Sequence, residues 1–245
     1  MNQKLKAVIL AAGRGTRLQT GDGDLPKVMR SVNGRPMLAY VLDALSFIDK
    51  PDTIIVVGYK KDDVIDHFPG YRFAIQTEQL GTGHAVMAAS SELLSFDGSV
   101  LVCCGDMPAV KRETYEALAR AHFDEGNDCT MLTGQSTLAL PYGRVLRDVD
   151  GLFLKVVEQR DCTPEQLDIT ELNSGVYIFR ANLLLDALKS LNKDNAQGEY
   201  YLTDVPTIMQ SRGARVGILR RDLGSEIIGV NTLEQLRQVE EILAV

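Results

Sequence analysis

The sequence predicts a doubly wound α/β fold: a Rossmann-like, mixed but mostly parallel sheet with helices on both faces and a smaller lobe built onto it. Three observations predict it. Apolar runs of strand length alternate with segments of helical period, which implies parallel strands joined by right-handed crossovers. The runs Ala7-Val8-Ile9-Leu10 and Val100-Leu101-Val102 are apolar without alternation, as strands covered on both faces are. Polar segments carrying glycine or aspartate follow such runs, at the strand ends where open α/β sheets bind ligands.

The elements follow in order. Leu5 to Ala11 reads as the first buried strand. Pro36 suits the first turn of a helix in which Met37, Leu38, Val41, Leu42 and Leu45 recur at helical spacing. Thr53 to Val57 is a strand, Val64 to Phe68 a short helix, and Phe73 to Gln76 a third strand. Thr82 has the side chain to cap a helix running to about Leu94, with Ala85, Val86 and Ala89 turned inward. Ser99 to Cys104 is strand, Thr114 to Phe123 helix, and Thr130 to Thr133 strand. Beyond Pro141 the rhythm changes. Tyr142 to Val157 reads as a hairpin turning at Asp150-Gly151. Asn173 to Phe179 is strand and Ala181 to Leu191 helix. Gly198 to Gln210 starts irregular and becomes helical, Arg215 to Leu219 and Ile227 to Val230 are short strands, and Leu233 to Leu243 is a closing helix.

At 245 residues the chain exceeds an average domain of about 150, yet no Pro/Ser-rich linker divides it. It reads as one unit over 1–245, with a first half over 1–140, a second over 141–231 and the closing helix over 232–245. The 26 Lys and Arg against 33 Asp and Glu leave a net charge of −7. That balance suits neither a nucleic-acid backbone nor an anionic membrane, although a few local cations can still hold a small anion. No run approaches the ~20 apolar residues of a membrane span, and Ala7 to Ala12 is too short for a secretory leader. Cys103, Cys104, Cys129 and Cys162 lack CxxC spacing and read as free thiols of a reducing cytoplasm. Nothing in the pattern fixes an oligomeric state.

Three segments carry the chemistry. Leu10, Ala11, Ala12 and Gly13 lead into Arg14-Gly15-Thr16-Arg17-Leu18, with Leu25-Pro26-Lys27 beyond. Small residues let backbone N–H groups approach a phosphate, and Arg14, Arg17 and Lys27 add charge; an ordinary surface loop is the competing reading. A dinucleotide turn is excluded because Leu18 stands where its third glycine belongs; a Walker loop is excluded because Lys27 lies between Pro26 and Val28. In the second segment, Gln76 and Gln79 can each donate and accept at the edge of a nucleobase, while Gly81 and Gly83 admit close contact. A plain helix entry is the competing reading, and His84 is read as a satisfied histidine. In the third, Gly105-Asp106 follows an apolar strand. Beside phosphates such a carboxylate suits Mg²⁺; a β-turn aspartate ahead of Pro108 is the equal alternative. Further polar sets, Tyr142-Gly143-Arg144, Glu158, Asn173-Ser174-Gly175, Asn195 to Asp204 and Gly229-Val230-Asn231, do not show by spacing whether they converge.

With these residues together, the chain resembles the nucleotide-sugar pyrophosphorylases, and most narrowly the N-acetylglucosamine-1-phosphate uridylyltransferase domains of bacteria. LAAGRGTRL followed by LPK marks the broad family; EQLGTGHA, YGR, NSGVY, NAQGEYYLTD and GVN, in that order, mark the narrower group. The resemblance implies the nucleotide-diphospho-sugar transferase fold and the reaction of UTP with N-acetylglucosamine 1-phosphate to give UDP-N-acetylglucosamine and pyrophosphate. It implies a nucleotide site at Leu10, Ala11, Ala12, Gly13, Arg14 and Gly105, with Gln76, Gln79, Gly81 and Thr82 reading uracil. It further implies Arg17 and Lys27 as the catalytic cations, Mg²⁺ on Asp106 and Asn231, and sugar contacts from Gly143, Glu158, Asn173 and Thr203. A related transferase for another nucleotide or sugar, or a UDP-sugar sensor without turnover, are the other readings. Two positions depart from the family pattern: Cys104 stands where Tyr is usual before Gly-Asp, and Arg160 replaces a usual Lys. No hexapeptide repeat appears up to Val245, so acetyltransferase activity is not expected.

Overall fold

The structure, a computed structural model, describes residues 4–18, 24–136 and 140–244; the last residue of the expected closing segment lies outside them. The chain enters through strand β1 (Leu5–Leu10) and passes a short hairpin of β2 (Ser31–Val32) and β3 (Arg35–Pro36) into helix α1 (Met37–Ala44). Strand β4 (Thr53–Val57), helix α2 (Lys61–His67), strand β5 (Arg72–Ile75) and helices α3 (Thr82–Ala88) and α4 (Ser90–Leu93) follow. Next come β6 (Ser99–Cys104), α5 (Arg112–Asp124), β7 (Cys129–Gln135), the hairpin β8 (Arg144–Arg147) and β9 (Phe153–Val157), and α6 (Pro164–Leu167). The chain then forms β10 (Glu171–Arg180), α7 (Ala181–Leu188), α8 (Val205–Ser211), β11 (Val216–Arg221) and α9 (Leu233–Leu243).

The sheet order is β11-β7-β10-β6-β1-β4-β5, with the β8–β9 hairpin joined through β10. β1, β4, β5 and β6 run parallel, as do β7 and β11, whereas β10 is antiparallel to both β6 and β7. The mixed, mostly parallel sheet expected from the sequence is present. Alternate residues of each strand feed opposite faces. On one face Val8, Val56, Val102 and Tyr177 pack with Val86, Leu184 and Met209 from helices α3, α7 and α8. On the other, Ile9, Ile55, Leu101 and Ile178 pack with Leu38, Leu42 and Leu118 from α1 and α5. Both faces being covered is why these strands are apolar without alternation; each fully buried aliphatic side chain contributes about 1.5–3 kcal/mol. Helix α9 seats Leu236 and Val239 in a third cluster with Leu18, Val32 and Met37, and Thr232 and Gln235 form a capping box at its start.

Three local expectations are corrected. Ile227 to Val230 is not a strand: a 3-10 turn covers Gly224–Ile227, and the backbone beyond it is claimed by other partners. The Tyr142 hydroxyl donates to the Ile227 carbonyl (2.6 Å) and accepts the Gly229 N–H (2.7 Å), while the Val230 N–H reaches the Asp106 carbonyl (2.9 Å). Thr82 does not cap its helix. Gly81 occupies the cap position, and the Thr82 hydroxyl instead accepts the Leu202 N–H at 3.1 Å. The helix expected to reach Leu94 divides at Ala89 into α3 and α4. All four cysteines are free. Among the described residues, no helix is long and apolar enough to cross a membrane.

Candidate active site

Two loops and one turn at the C-terminal ends of β1, β5 and β6 build a crevice. The loop after β1 is tied down at Ala11, whose N–H bonds the Val56 carbonyl at 2.9 Å, and at Gly13, whose carbonyl accepts the Lys27 N–H at 3.3 Å. Gly15 has φ +70°, and a Cβ there would lie 2.8 Å from the Lys27 Cβ. Only glycine lets this loop fold onto Lys27. The loop after β5 buries Gln76, whose Nε2 donates to the Gly81 carbonyl (3.2 Å) and meets the His84 Nδ1 at 3.1 Å. His84 therefore has a protein partner, and its ring stacks near Tyr200.

The crevice divides into two adjoining cavities that share Leu10, Thr82, Cys104 and Asp106. The first, about 260 Å³, is lined by Ala11, Ala12, Gly13, Gln76, Gln79 and Gly81, with Lys27 at its edge. The second, about 180 Å³, is lined by Gly143, Glu158, Asn173, Thr203 and Asn231. Of the positions expected to take a nucleotide, Ala11, Ala12, Gly13, Gln76, Gln79 and Gly81 line the first cavity alone, Leu10 and Thr82 line both, and the expected sugar positions Gly143, Glu158, Asn173 and Thr203 line the second alone.

At the seam, the Lys27 ammonium donates to Asp106 Oδ2 and, at 2.8 Å, to Asn231 Oδ1; Arg17 Nη2 reaches the same Asn231 oxygen at 3.3 Å. Residues 79 and 204 positions from Lys27 meet on one nitrogen. A carboxylate and an amide oxygen aimed at a single cationic point are donors that suit Mg²⁺, which takes its remaining oxygens from phosphates and water. Among the described residues no group of three or more His, Cys, Asp or Glu gathers for a metal, so an ion here would rely on substrate oxygens.

Three expected site residues line neither cavity. The Arg14 guanidinium lies 4.7 Å from the Tyr59 ring centre, drawn to its π face. Gly105 sits beneath the first loop, its N–H bonded to the Leu10 carbonyl at 2.9 Å, and a Cβ would stand 3.1 Å from Val28. Arg17 reaches the seam only through Asn231.

The second cavity is held by side chains. Thr203 donates to Glu158 Oε1 at 3.0 Å. Burial raises the Glu158 carboxyl above its usual range, and the neighbouring Asp204, Asp161 and Glu199 add to the rise. Arg144, buried, donates to the carbonyls of Leu140 and Tyr142 and so shapes the turn bearing Gly143. The Asn173 N–H bonds the Gly143 carbonyl at 2.9 Å. Cys104 lies between the cavities, its thiol raised by burial and by Asp106. Tyr177 lines the second cavity and was not singled out by the sequence; its apolar strand neighbours mask it as core, and the glycine in NSGVY is the one signal of an irregularity beside it.

A divided crevice at the strand ends of a mostly parallel sheet is where such folds bind ligands, and the family of the chain makes it a nucleotidyltransferase. The chain belongs to the MobA-like NTP transferase domain family, whose profile matches residues 7–204. It is 45% identical over 237 residues to the bifunctional protein GlmU of Lactobacillus gasseri, covering 96% of this chain and 51% of the relative. It is 42% identical over 240 residues to GlmU of Pelotomaculum thermopropionicum (98% and 52%) and 41% identical over 237 residues to that of Geobacter metallireducens (96% and 49%). The chain spans about half the length of the curated relatives it matches. Its fold is also that of a crystal structure from Bacillus anthracis provisionally assigned as a glucose-1-phosphate thymidylyltransferase, in complex with sucrose. The TM-score is 0.73 at 17% identity, over 98% of this chain and 95% of the other.

Proposed function

We propose that this chain forms UDP-N-acetylglucosamine and pyrophosphate from UTP and N-acetylglucosamine 1-phosphate, with Mg²⁺ held by Asp106 and Asn231. The observation that carries the reading is the meeting of two cavities at the Lys27–Asp106–Asn231 seam. UTP lies in the first cavity, with uracil beside Gln76, Gln79, Gly81 and Thr82 and the phosphates over the loop after β1. The sugar phosphate lies in the second, its phosphate toward the seam.

The sugar-phosphate oxygen attacks the α-phosphorus, a new P–O bond forms, and the bond to the β-phosphate oxygen breaks to release pyrophosphate. Both reactants are anions, so alignment and positive charge supply most of the catalysis. Lys27 stands at the seam and neutralises charge that grows on the α-phosphate and the departing pyrophosphate; Arg17 supports it from the open side. Mg²⁺, when bound, polarises the α-phosphate and offsets repulsion between the reactants. The attacking oxygen is already ionised, so no general base is needed, and His84 is free to serve Gln76. The relatives named GlmU support this choice of reaction, and Glu158, Asn173 and Thr203 give the second cavity hydrogen-bonding groups for a sugar.

The test is pyrophosphate release across a panel of nucleoside triphosphates and sugar 1-phosphates, with and without Mg²⁺. UTP with N-acetylglucosamine 1-phosphate should turn over fastest and only with the ion. A faster pair overturns the substrate assignment, and tight UDP-sugar binding without any turnover makes the chain a sensor.

A further inference from the structure

Asn173 and Tyr177 stand four residues apart, but only two apart along the neighbouring strand. Asn173 pairs with Thr133, Val176 with Leu132 and Tyr177 with Met131, so a bulge absorbs Ser174 and Gly175. Gly175 takes φ +77° to make it, and the Ser174 hydroxyl donates to the Leu132 carbonyl (2.7 Å) and accepts the Val176 N–H (3.2 Å). The extra pair preserves the alternation, leaving Asn173 and Tyr177 on one face and drawing them together.

The contact has a direction. Asn173 Nδ2 donates to the Tyr177 hydroxyl oxygen at 2.6 Å. Asn173 Oδ1 is buried and has no hydrogen-bond partner among the described residues, and the residue, 5% exposed, lines the second cavity. A buried carbonyl oxygen without a donor asks for one from an occupant. Nearby, the Thr203 hydroxyl is engaged by Glu158. Burial keeps the Tyr177 phenol protonated far above neutrality.

We propose that Tyr177 is a positioning residue for sugar choice: by holding Nδ2 it turns Asn173 Oδ1 into the cavity as an acceptor, favouring a sugar phosphate that carries an amide N–H. This rests on the reading that the second cavity takes the sugar phosphate. An acetamido N–H can only donate, so beside Asn173 it is served by the amide oxygen and not by the amide nitrogen. A sugar hydroxyl donates or accepts and tolerates the amide either way round. Releasing the amide therefore penalises the acetamido substrate more than the hydroxyl one.

The experiment measures kcat/KM for N-acetylglucosamine 1-phosphate and glucose 1-phosphate, and KM for UTP, in the wild type, Tyr177→Phe, Asn173→Ala and the double variant. Phenylalanine keeps the ring that stacks on Phe179 at 5.2 Å. Tyr177→Phe should lower the ratio of the two kcat/KM values about five- to tenfold, the worth of one neutral hydrogen bond, and leave KM for UTP unchanged. In the Asn173→Ala background the same change should leave the ratio where it was, because Tyr177 acts only through Asn173. An unchanged ratio in Tyr177→Phe, or an equal drop in both backgrounds, overturns the role of Tyr177 alone. A wild type with no preference for the acetamido sugar overturns the substrate reading, and the proposal with it.

Discussion

The two cavities of the crevice are walled by different materials. The first has a run of small residues along one wall, Ala11, Ala12, Gly13 and Gly81, and Gln76 is its one deeply buried polar side chain. The second carries more fixed polar side chains, with Glu158, Thr203, Asn173 and Tyr177 each held by a bond to a neighbour. A chain of phosphates carries enough charge to be held by main-chain N–H groups and a few cations. An uncharged sugar offers only hydrogen bonds, which discriminate only when the groups meeting them are oriented beforehand. The electrostatics follow the same division. Lys27 and Arg17 gather at the seam, while Glu158, Asp161 and Asp204 crowd the side of the second cavity, and burial with mutual repulsion raises Glu158 and Asp204.

The seam serves both cavities, so Lys27→Ala should have the largest effect: a fall in kcat/KM of about 10²–10³-fold, read from pyrophosphate release. A loss of only a few-fold would move the chemistry away from the seam. The next effect lies outside both cavities, at the opposite end of the sheet. His122 is buried between the Ser99 and Thr130 hydroxyls at 2.9 and 3.0 Å. Burial, with Arg180 nearby, lowers its pKa from 6.5 to about 4. The folded state thus prefers the neutral ring. Its contribution, about 3 kcal/mol, is complete above pH 6.5 and disappears as pH falls toward 4. Unfolding followed from pH 7 to 4 should show a shallower slope in His122→Gln; parallel slopes would contradict the assignment.

Gly81→Ala should weaken the first cavity selectively. Gly81 has φ +108°, and a Cβ would stand 2.6 Å from the Tyr200 carbonyl oxygen. A loss of about 2 kcal/mol in thermal stability is expected, with KM rising for UTP and little changed for the sugar phosphate. The smallest effect belongs to Tyr142→Phe, which removes both hydroxyl contacts to the segment leading to Asn231. About 1 kcal/mol should be lost, seen as a higher Mg²⁺ concentration for half-maximal rate at unchanged KM for UTP. An unaltered Mg²⁺ titration would separate Tyr142 from the seam.

Local pattern located β1, β4 and β6 because continuous apolar runs have few alternatives in a chain of this composition. It misplaced Ile227 to Val230, where apolar residues look like a strand but their backbone groups bond Tyr142 and Asp106. Nor did it show that β10 runs antiparallel to both neighbours, because buried strands look alike whichever way they point. The loop motifs around Gly13, Gln76 and Asp106 were legible, since glycine, charge and amide groups at strand ends are unusual enough to notice. Tyr177 was not: a tyrosine among Val176, Ile178 and Phe179 resembles ordinary core until the bulge beside Gly175 brings its hydroxyl to Asn173.

Apolar period and glycine placement alone settled the layered frame and the backbone of the first cavity, since both act through neighbours a few residues away. What they left open was convergence. Asp106 and Asn231 meet on Lys27, and Glu158 meets Thr203, only because the packing of the two sheet faces and the register of strands far apart in sequence bring their loops to one edge. That register is a sum over the whole core, which no short window of sequence contains.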